Sequence, residues 1–117
     1  MAMLQAEPRQ AEKEPTEEEL LYEDAMEAAR LRDFSEALLS WRKLAEQNNK
    51  QAQYRLGAMY RRGLGVKPNL KLAAQWFTKA AENGHPRAQY NLGVMYQKRL
   101  GVKKNPVAAE QWFRRAA

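Results

Sequence analysis

The chain repeats itself after 36 residues. Residues 52–60 read AQYRLGAMY and residues 88–96 read AQYNLGVMY, with seven of the nine positions identical. The same offset holds through the Trp-Phe pairs at 76–77 and 112–113, and any insertion would have broken it. A fixed period of this length is typical of a solenoid, in which each unit buries its apolar face only against its neighbours.

Each repeat unit reads as a pair of helices. In the second half of the unit, one apolar stripe has helical spacing: Ala73, Trp76, Phe77, Ala80 and Ala81. In the first half, one face carries Leu56, Met59 and Tyr60. Gly57 on this helix leaves room for a close neighbour, and Gly63 and Gly65 end it, because glycine tolerates left-handed backbone. Asn69 and Asn105 suit the N-cap positions of the second helices.

A third, more divergent unit precedes these two. Four of its residues lie 36 positions before counterparts in the second unit: Ala37, Trp41, Leu44 and Ala45. Thr16 and Glu19 have capping-box spacing and predict a helix over 17–31, and Asp33 with Glu36 begins the next helix. The loop between these helices lacks the glycine-containing extension.

The expected organisation is therefore a single repeat domain over 16–117, with units at about 16–49, 50–85 and 86–117. Residues 1–15 hold two prolines and alternating charge and are expected to form a disordered lead. The sequence predicts an all-α solenoid of three antiparallel helix pairs, six helices in all.

Composition excludes much chemistry. The chain has no cysteine and a single histidine, which excludes disulfides, thiolate sites and multi-histidine metal clusters. His85 lies in a Gly-His-Pro turn and is expected to be a solvated loop residue. Because no nucleophile elbow, phosphate loop or paired-carboxylate motif is visible, we expect no enzyme activity, no cofactor and no metal.

No membrane span or secretory signal is visible either. Apolar runs fall short of the ~18 residues that a span requires, so no membrane insertion is expected. The compartment stays open: cytoplasmic as written, and periplasmic or secreted if a signal peptide precedes the chain.

The repeat pattern resembles the Sel-one-like repeat family, which is related to the tetratricopeptide repeat. The resemblance covers residues 50–117, and residues 17–49 are more similar to the tetratricopeptide repeat through Ala25, Asp33, Phe34 and Ala37. It is carried by these residues: Ala52, Leu56, Gly57, Tyr60, Gly63, Gly65, Val66, Ala73, Trp76, Ala80, Ala81 and Gly84. The resemblance implies a right-handed superhelix whose first helices line a concave groove, and an adaptor or scaffold role for protein or peptide partners.

A second stripe on the first helices is the candidate binding surface. Tyr54 and Tyr90 lie two residues before the buried leucines, about 200° around the helix, so they should face away from the core stripe. The predicted groove residues are Tyr54, Ala58, Arg61, Arg62, Tyr90, Val94, Gln97 and Lys98. The alternative is that they only pack between adjacent units. Trp41, Trp76 and Trp112 are expected in the core.

A basic rim adds to this surface. Residues 1–24 carry 2 basic and 8 acidic side chains, net −6, which leaves 18 basic and 6 acidic side chains, net +12, for residues 25–117. Around the two longer loops cluster Arg61, Arg62, Lys67, Lys98, Arg99, Lys103 and Lys104. The rim favours an acidic partner segment, and nucleic acid is the alternative partner.

Two features depart from the family pattern. Arg99 replaces the first loop glycine, and because a β-carbon in left-handed backbone costs roughly 1–2 kcal/mol, we expect a different turn in the last loop. The sequence also stops at Ala117 within a predicted helix, which suggests self-association through that end or further repeats beyond it.

Overall fold

Six α-helices and short connections make up the part of the chain that the structure describes. The structure, a computed structural model, describes residues 14–117. In chain order the helices are α1 (Glu17–Arg30), α2 (Phe34–Glu46), α3 (Lys50–Arg62), α4 (Leu70–Glu82), α5 (Pro86–Lys98) and α6 (Pro106–Ala116). Of the predicted lead, residues 1–13 lie outside the described residues.

The helices stack in the order of the chain. Each packs against the helix before it and the helix after it, so that α1/α2, α3/α4 and α5/α6 form pairs and the pairs stack side by side. The short connections make sequential helices antiparallel neighbours. This arrangement confirms the predicted all-α solenoid of three helix pairs.

A polar side chain begins every helix. Thr16 and Glu19 form the predicted capping box, in which each side chain accepts a hydrogen bond from the other residue's backbone N–H, at 3.1 and 2.8 Å. Asp33, Asn49, Asn69 and Asn105 accept in the same way at α2, α3, α4 and α6. Capping satisfies backbone N–H groups that a helix leaves without partners, which is why these positions mark the boundaries.

Within each longer-looped pair, a phenylalanine ring lies directly on the backbone of the first helix. A β-carbon added to Gly57 would lie 2.9 Å from the Phe77 ring, and one added to Gly93 would lie 2.7 Å from the Phe113 ring. The missing side chains therefore set how closely α3 approaches α4 and α5 approaches α6. Phe77 is fully buried, whereas Phe113 is half-buried.

The tryptophans divide between the core and its edge. Trp41 is 2% exposed and occupies the interior of the first pair, as predicted. Trp76 and Trp112 are half-buried, and the cations of Lys79 and Arg115 lie over their rings at 4.8 and 4.5 Å from the ring centroids. These two therefore pack against the core from its edge, and in the middle unit the neighbouring Phe77 takes the fully buried place.

The glycines of the longer loops bring one pair against the previous pair. A β-carbon on Gly65 would lie 2.5 Å from the backbone carbonyl of Phe34, and one on Gly101 would lie 2.3 Å from the backbone oxygen of Leu70. Each loop thus rests on the first residue of the preceding second helix. Only glycine allows two backbones to approach this closely.

The prediction of a different turn at Arg99 was wrong. Arg99 adopts φ 59° and ψ 46°, close to the φ 75° and ψ 41° of Gly63, and both donate their backbone N–H to the equivalent methionine carbonyl. At Gly63 a β-carbon would lie 2.5 Å from the ring of Pro68, but the equivalent position in the last loop is Lys104. Because that ring is absent, the arginine β-carbon fits in the same left-handed turn.

Replacing Gly57 tests the close helix contact. We expect Gly57→Ala to lower the free energy of unfolding by about 1–3 kcal/mol, because the buried Phe77 ring has nowhere to move. Gly93→Ala is the matched control and should cost less, since the half-buried Phe113 can shift toward solvent. Urea unfolding followed by circular dichroism measures both. A stabilised Gly57→Ala, the result that helix propensity alone would give, would contradict the packing argument.

Replacing Arg99 tests the strained turn. Arg99→Gly should raise the free energy of unfolding by about 0.5–1 kcal/mol, because the left-handed strain of arginine exceeds the extra entropy that glycine loses on folding. Lys98→Gly, one residue earlier in the last turn of α5, should instead lower it by up to about 1 kcal/mol. If thermal unfolding shows the same sign for both variants, the turn does not carry this strain.

Candidate functional site

A long groove opens between α1 and α3. Both helices pack against α2, which forms the floor, and the open volume between them is about 950 Å³. We call it the α1–α3 groove; its floor includes Phe34 and Trp41 of α2, and Tyr22 of α1 lines it beside them. The shorter loop of the first pair joins α1, one wall of the groove, to α2, its floor.

An aromatic pair recurs in all three units. A tyrosine of each first helix lies against an aromatic ring of the second helix, and the pairs with their centroid distances are Tyr22–Trp41 at 5.3 Å, Tyr54–Phe77 at 5.8 Å and Tyr90–Phe113 at 5.5 Å. The three pairs differ in what covers them. Arg55 lies over Trp41, His85 stacks on Tyr54, and Tyr90 is 57% exposed.

Arg55 was missed by the sequence prediction. Its guanidinium carbon lies 5.9 Å from the centroid of the Trp41 ring, and its Nε is buried without a hydrogen-bond partner. The equivalent position in the last unit is Asn91, so the repeat pattern contains no signal for an arginine here. What identifies Arg55 is the groove itself, because α3 directs this side chain over the ring of the neighbouring α2.

The two walls of the groove carry opposite charges. Glu23 and Asp24 line the α1 side, and Arg55 and Arg62 line the α3 side. Within residues 14–117 the ion pairs are Glu27–Arg30 within α1 and Glu110–Arg114 within α6. No ion pair therefore bridges the groove, and its walls present unmatched charges to whatever lies between them.

The predicted groove residues fall on two separate surfaces. Ala58 and Arg62 line the α1–α3 groove. Tyr54 and Tyr90 line a second pocket of about 790 Å³ near the α5 N-terminus, together with Phe113. Exposed or half-buried, and outside the linings of both, are Arg61, Val94, Gln97 and Lys98. The stripe is thus divided between separate surfaces, and its role in binding stays a prediction.

Tyr54 is held more firmly than its sequence position suggested. Its ring stacks on His85 with centroids 4.5 Å apart and an interplanar angle of 13°, and its other neighbour is the buried Phe77. Tyr54 therefore packs between Phe77 of α4 and the residue that caps α5, whereas Tyr90 presents most of its surface to solvent.

The basic rim is exposed. Arg99, Lys103 and Lys104 line a shallow pocket of about 850 Å³ that also includes Lys71, and Lys67 is exposed in the preceding loop. Arg99, Lys103 and Lys104 lie in the last loop. Arg62, at the end of α3, lines the α1–α3 groove instead.

The expectation that His85 is a solvated loop residue was wrong. His85 is 8% exposed and caps α5, where its Nδ1 accepts a hydrogen bond from the backbone N–H of Ala88 at 3.2 Å. Its Nε2 lies 2.8 Å from Oε1 of Gln51. Asn49, at the equivalent position 36 residues earlier, caps α3 with the same φ of −78° and ψ of 114°. The repeat register contained this signal, since it aligns His85 with an asparagine.

Burial and three nearby cations affect the charge of this cap. Burial lowers the pKa of His85 below its usual value of 6.5, and the positive charges of Lys50, Arg87 and Arg55 lower it further. Protonation at Nδ1 would also remove the acceptor that caps α5. The neutral imidazole is therefore the form that the fold stabilises.

The fold places the chain in the class of helical-repeat solenoids, with an open groove between its first helices. The Sel1 repeat model matches residues 50–85 and 86–117, which together exceed half of the chain. The chain therefore belongs to the Sel1 repeat family. Sel1 repeats commonly mediate protein–protein interaction, and Sel1 repeat scaffolds are generally non-catalytic.

Solved structures agree with this family. A Sel1 repeat protein from Oxalobacter formigenes is 39% identical with a TM-score of 0.74, over 79% of this chain and 38% of that protein. The protective antigen c5321 of uropathogenic Escherichia coli, which displays an SLR fold, is 29% identical with a TM-score of 0.76, over 82% of this chain and 22% of that one. The chain thus spans well under half the length of either. No curated protein matches the chain.

A third structure shows the fold alone. Helicobacter pylori cysteine rich protein B is 24% identical with a TM-score of 0.68, over 86% of this chain and 89% of that protein. In residues 14–117, no helix is long and apolar enough to cross a membrane. The same residues hold no group of three or more side chains of the types that bind metal ions.

Acidification tests the histidine cap. Because the unfolded chain binds a proton at His85 below about pH 6.5 and the folded chain resists it, the free energy of unfolding should fall as pH drops from 7.5 to 5.0. His85→Asn keeps a capping side chain, as Asn49 shows, and removes the titrating group. Urea unfolding at both pH values should therefore show a smaller loss in His85→Asn. An equal loss in both proteins would place the pH dependence elsewhere.

Proposed function

We propose that this chain is a non-catalytic protein-interaction scaffold that holds a segment of a partner protein in the α1–α3 groove. The observation that carries the proposal is the row of Tyr22, Trp41 and Arg55 in the lining of the groove, where Tyr22 and Arg55 are half-buried and Trp41 is buried. Tyr22 meets the Trp41 ring at 88°, edge to face, and Arg55 lies over that ring. Aromatic residues and arginine supply most of the binding energy in protein interfaces, so this row has the composition of a contact centre.

The shape of the groove supports an extended segment as the occupant. It is lined along its length by α1 and α3, and its volume of about 950 Å³ lies at the upper end of the range of ligand sites. Met26 is 40% exposed beside it and offers an adaptable apolar contact. A segment lying lengthwise would bury apolar surface on the floor while its charged side chains meet the walls.

The charges of the groove argue against nucleic acid in this position. Glu23 and Asp24 on the α1 wall would repel a phosphate backbone that approached Arg55 and Arg62. The exposed rim at Arg99, Lys103 and Lys104 has no such acidic wall in its lining. The groove is therefore assigned to a protein segment, and binding of nucleic acid is left as an outcome of the tests.

Filling the groove tests the proposal. A random 12-residue peptide display library would be selected on the wild-type protein, and an enriched peptide would be synthesised and labelled for fluorescence anisotropy. Ala58→Trp places a large ring in the groove and should weaken binding of that peptide at least about tenfold, or about 1.4 kcal/mol. Gln75→Trp is the matched control on the exposed face of α4 and should leave binding unchanged.

Both variants need a native circular dichroism spectrum for the comparison to count. Peptides that bind wild type and Ala58→Trp equally would place the binding surface outside the groove. A library that yields no enriched peptide would contradict the proposal.

A further inference from the structure

Within residues 14–117, the guanidinium of Arg55 forms no ion pair and its Nε has no hydrogen-bond partner. The guanidinium carbon lies 5.9 Å from the centroid of the Trp41 ring, in the lining of the α1–α3 groove, and the Nε is buried. Because this Nε is closed to solvent, a carboxylate in the groove would accept charge-assisted hydrogen bonds from the two terminal nitrogens of the guanidinium. An oriented arginine of this kind is a receptor for a planar anion, because the carboxylate accepts two parallel hydrogen bonds.

Among residues 14–117, no carboxylate forms an ion pair with Arg55. Glu23 and Asp24 line the opposite wall, yet neither pairs with Arg55. Glu27, the remaining acid of the lining, pairs with Arg30 on its own helix. A carboxylate that enters the groove with a partner segment therefore meets a guanidinium that no described acid neutralises.

The α1 wall sets a second requirement. A segment that brings a carboxylate to Arg55 also brings its neighbouring side chains toward Glu23 and Asp24, which carry no ion-pair partner in the described part of the chain. In an extended backbone, successive side chains point to opposite sides. An acidic residue directed to the α3 wall therefore places the next residue toward the α1 wall, where a basic side chain fits.

We infer that the partner of this groove is an extended protein segment with an acidic residue bound by Arg55 and an adjacent basic residue facing Glu23 and Asp24. This inference rests on the proposed function and adds the chemistry of the partner to it. Arg62 lies on the same wall and strengthens the preference for acid on the α3 side. The mixed charge also separates this partner from a uniformly acidic segment, which the α1 wall would repel.

The experiment is a double-mutant cycle with the peptide enriched from the random 12-residue library. Arg55→Met keeps an unbranched side chain over Trp41 and removes the charge. It should weaken the enriched peptide at least about tenfold, because the carboxylate would be left without its partner. Lys50→Met is the matched control, since Lys50 is exposed on the same helix outside the groove lining, and binding should stay within about threefold.

The peptide provides the other half of the cycle. Changing its acidic residue to the amide should weaken binding to wild type about tenfold and leave binding to Arg55→Met unchanged, which is the coupling that a direct pair gives. Asp24→Lys should lower affinity for the same peptide. Replacing the adjacent basic residue of the peptide by glutamate should then restore its affinity for Asp24→Lys.

The outcomes distinguish failure of the acidic anchor at Arg55 from failure of the proposed groove function. Enriched peptides that are apolar, bind Arg55→Met as well as wild type and still lose affinity for Ala58→Trp would overturn the acidic anchor and leave the groove function standing. A library without any enriched peptide would overturn both. Binding of a labelled 20-nucleotide single-stranded RNA that is lost in Arg55→Met would assign Arg55 to phosphate and overturn the protein partner.

Discussion

The ring of Phe77 rests on bare helix backbone at Gly57, and the distance between paired helices follows from that contact. At this separation, the small residues of α4 reach the core, where Ala73, Ala80 and Ala81 are fully buried. Gly65 then seats the loop of the pair on the backbone of Phe34, so the spacing within one pair also fixes its position against the previous pair. The Gly65 contact therefore helps to place the second pair, which includes α3, against α2 at the floor of the α1–α3 groove.

The same aromatic pair serves different purposes along the array. In the middle unit, Tyr54 is enclosed by Phe77 and by the stacked His85, and it ties α3 to α5. In the first unit, the larger Trp41 takes the phenylalanine position and its face is met by Arg55 instead. Both rings at this register position are buried, but their covers differ: Tyr22 and Arg55 beside Trp41 line the groove, whereas His85 covers the tyrosine of the middle unit.

The acidic and basic side chains lie on opposite walls of the α1–α3 groove. The acidic side chains gather at the start of the chain, so α1 carries Glu23 and Asp24 to a groove whose other wall is arginine from the basic part of the chain. Since the walls are held apart by α2, they do not neutralise each other. A solenoid can keep such unmatched charges because its stability comes from contacts between neighbouring helices and leaves the exposed faces free to bind.

The sequence by itself determined the repeat, the six helices, their caps at residues such as Asn69 and Asn105, and the close approach at Gly57, because these are local patterns that recur at 36 residues. Only the tertiary structure decided that His85 stacks on Tyr54, that Arg99 keeps the left-handed turn, and that Arg55 lies over Trp41. Each of these depends on what another unit or another loop position places beside the residue. Such neighbours are brought together by stacking, and periodicity along one helix contains no record of them.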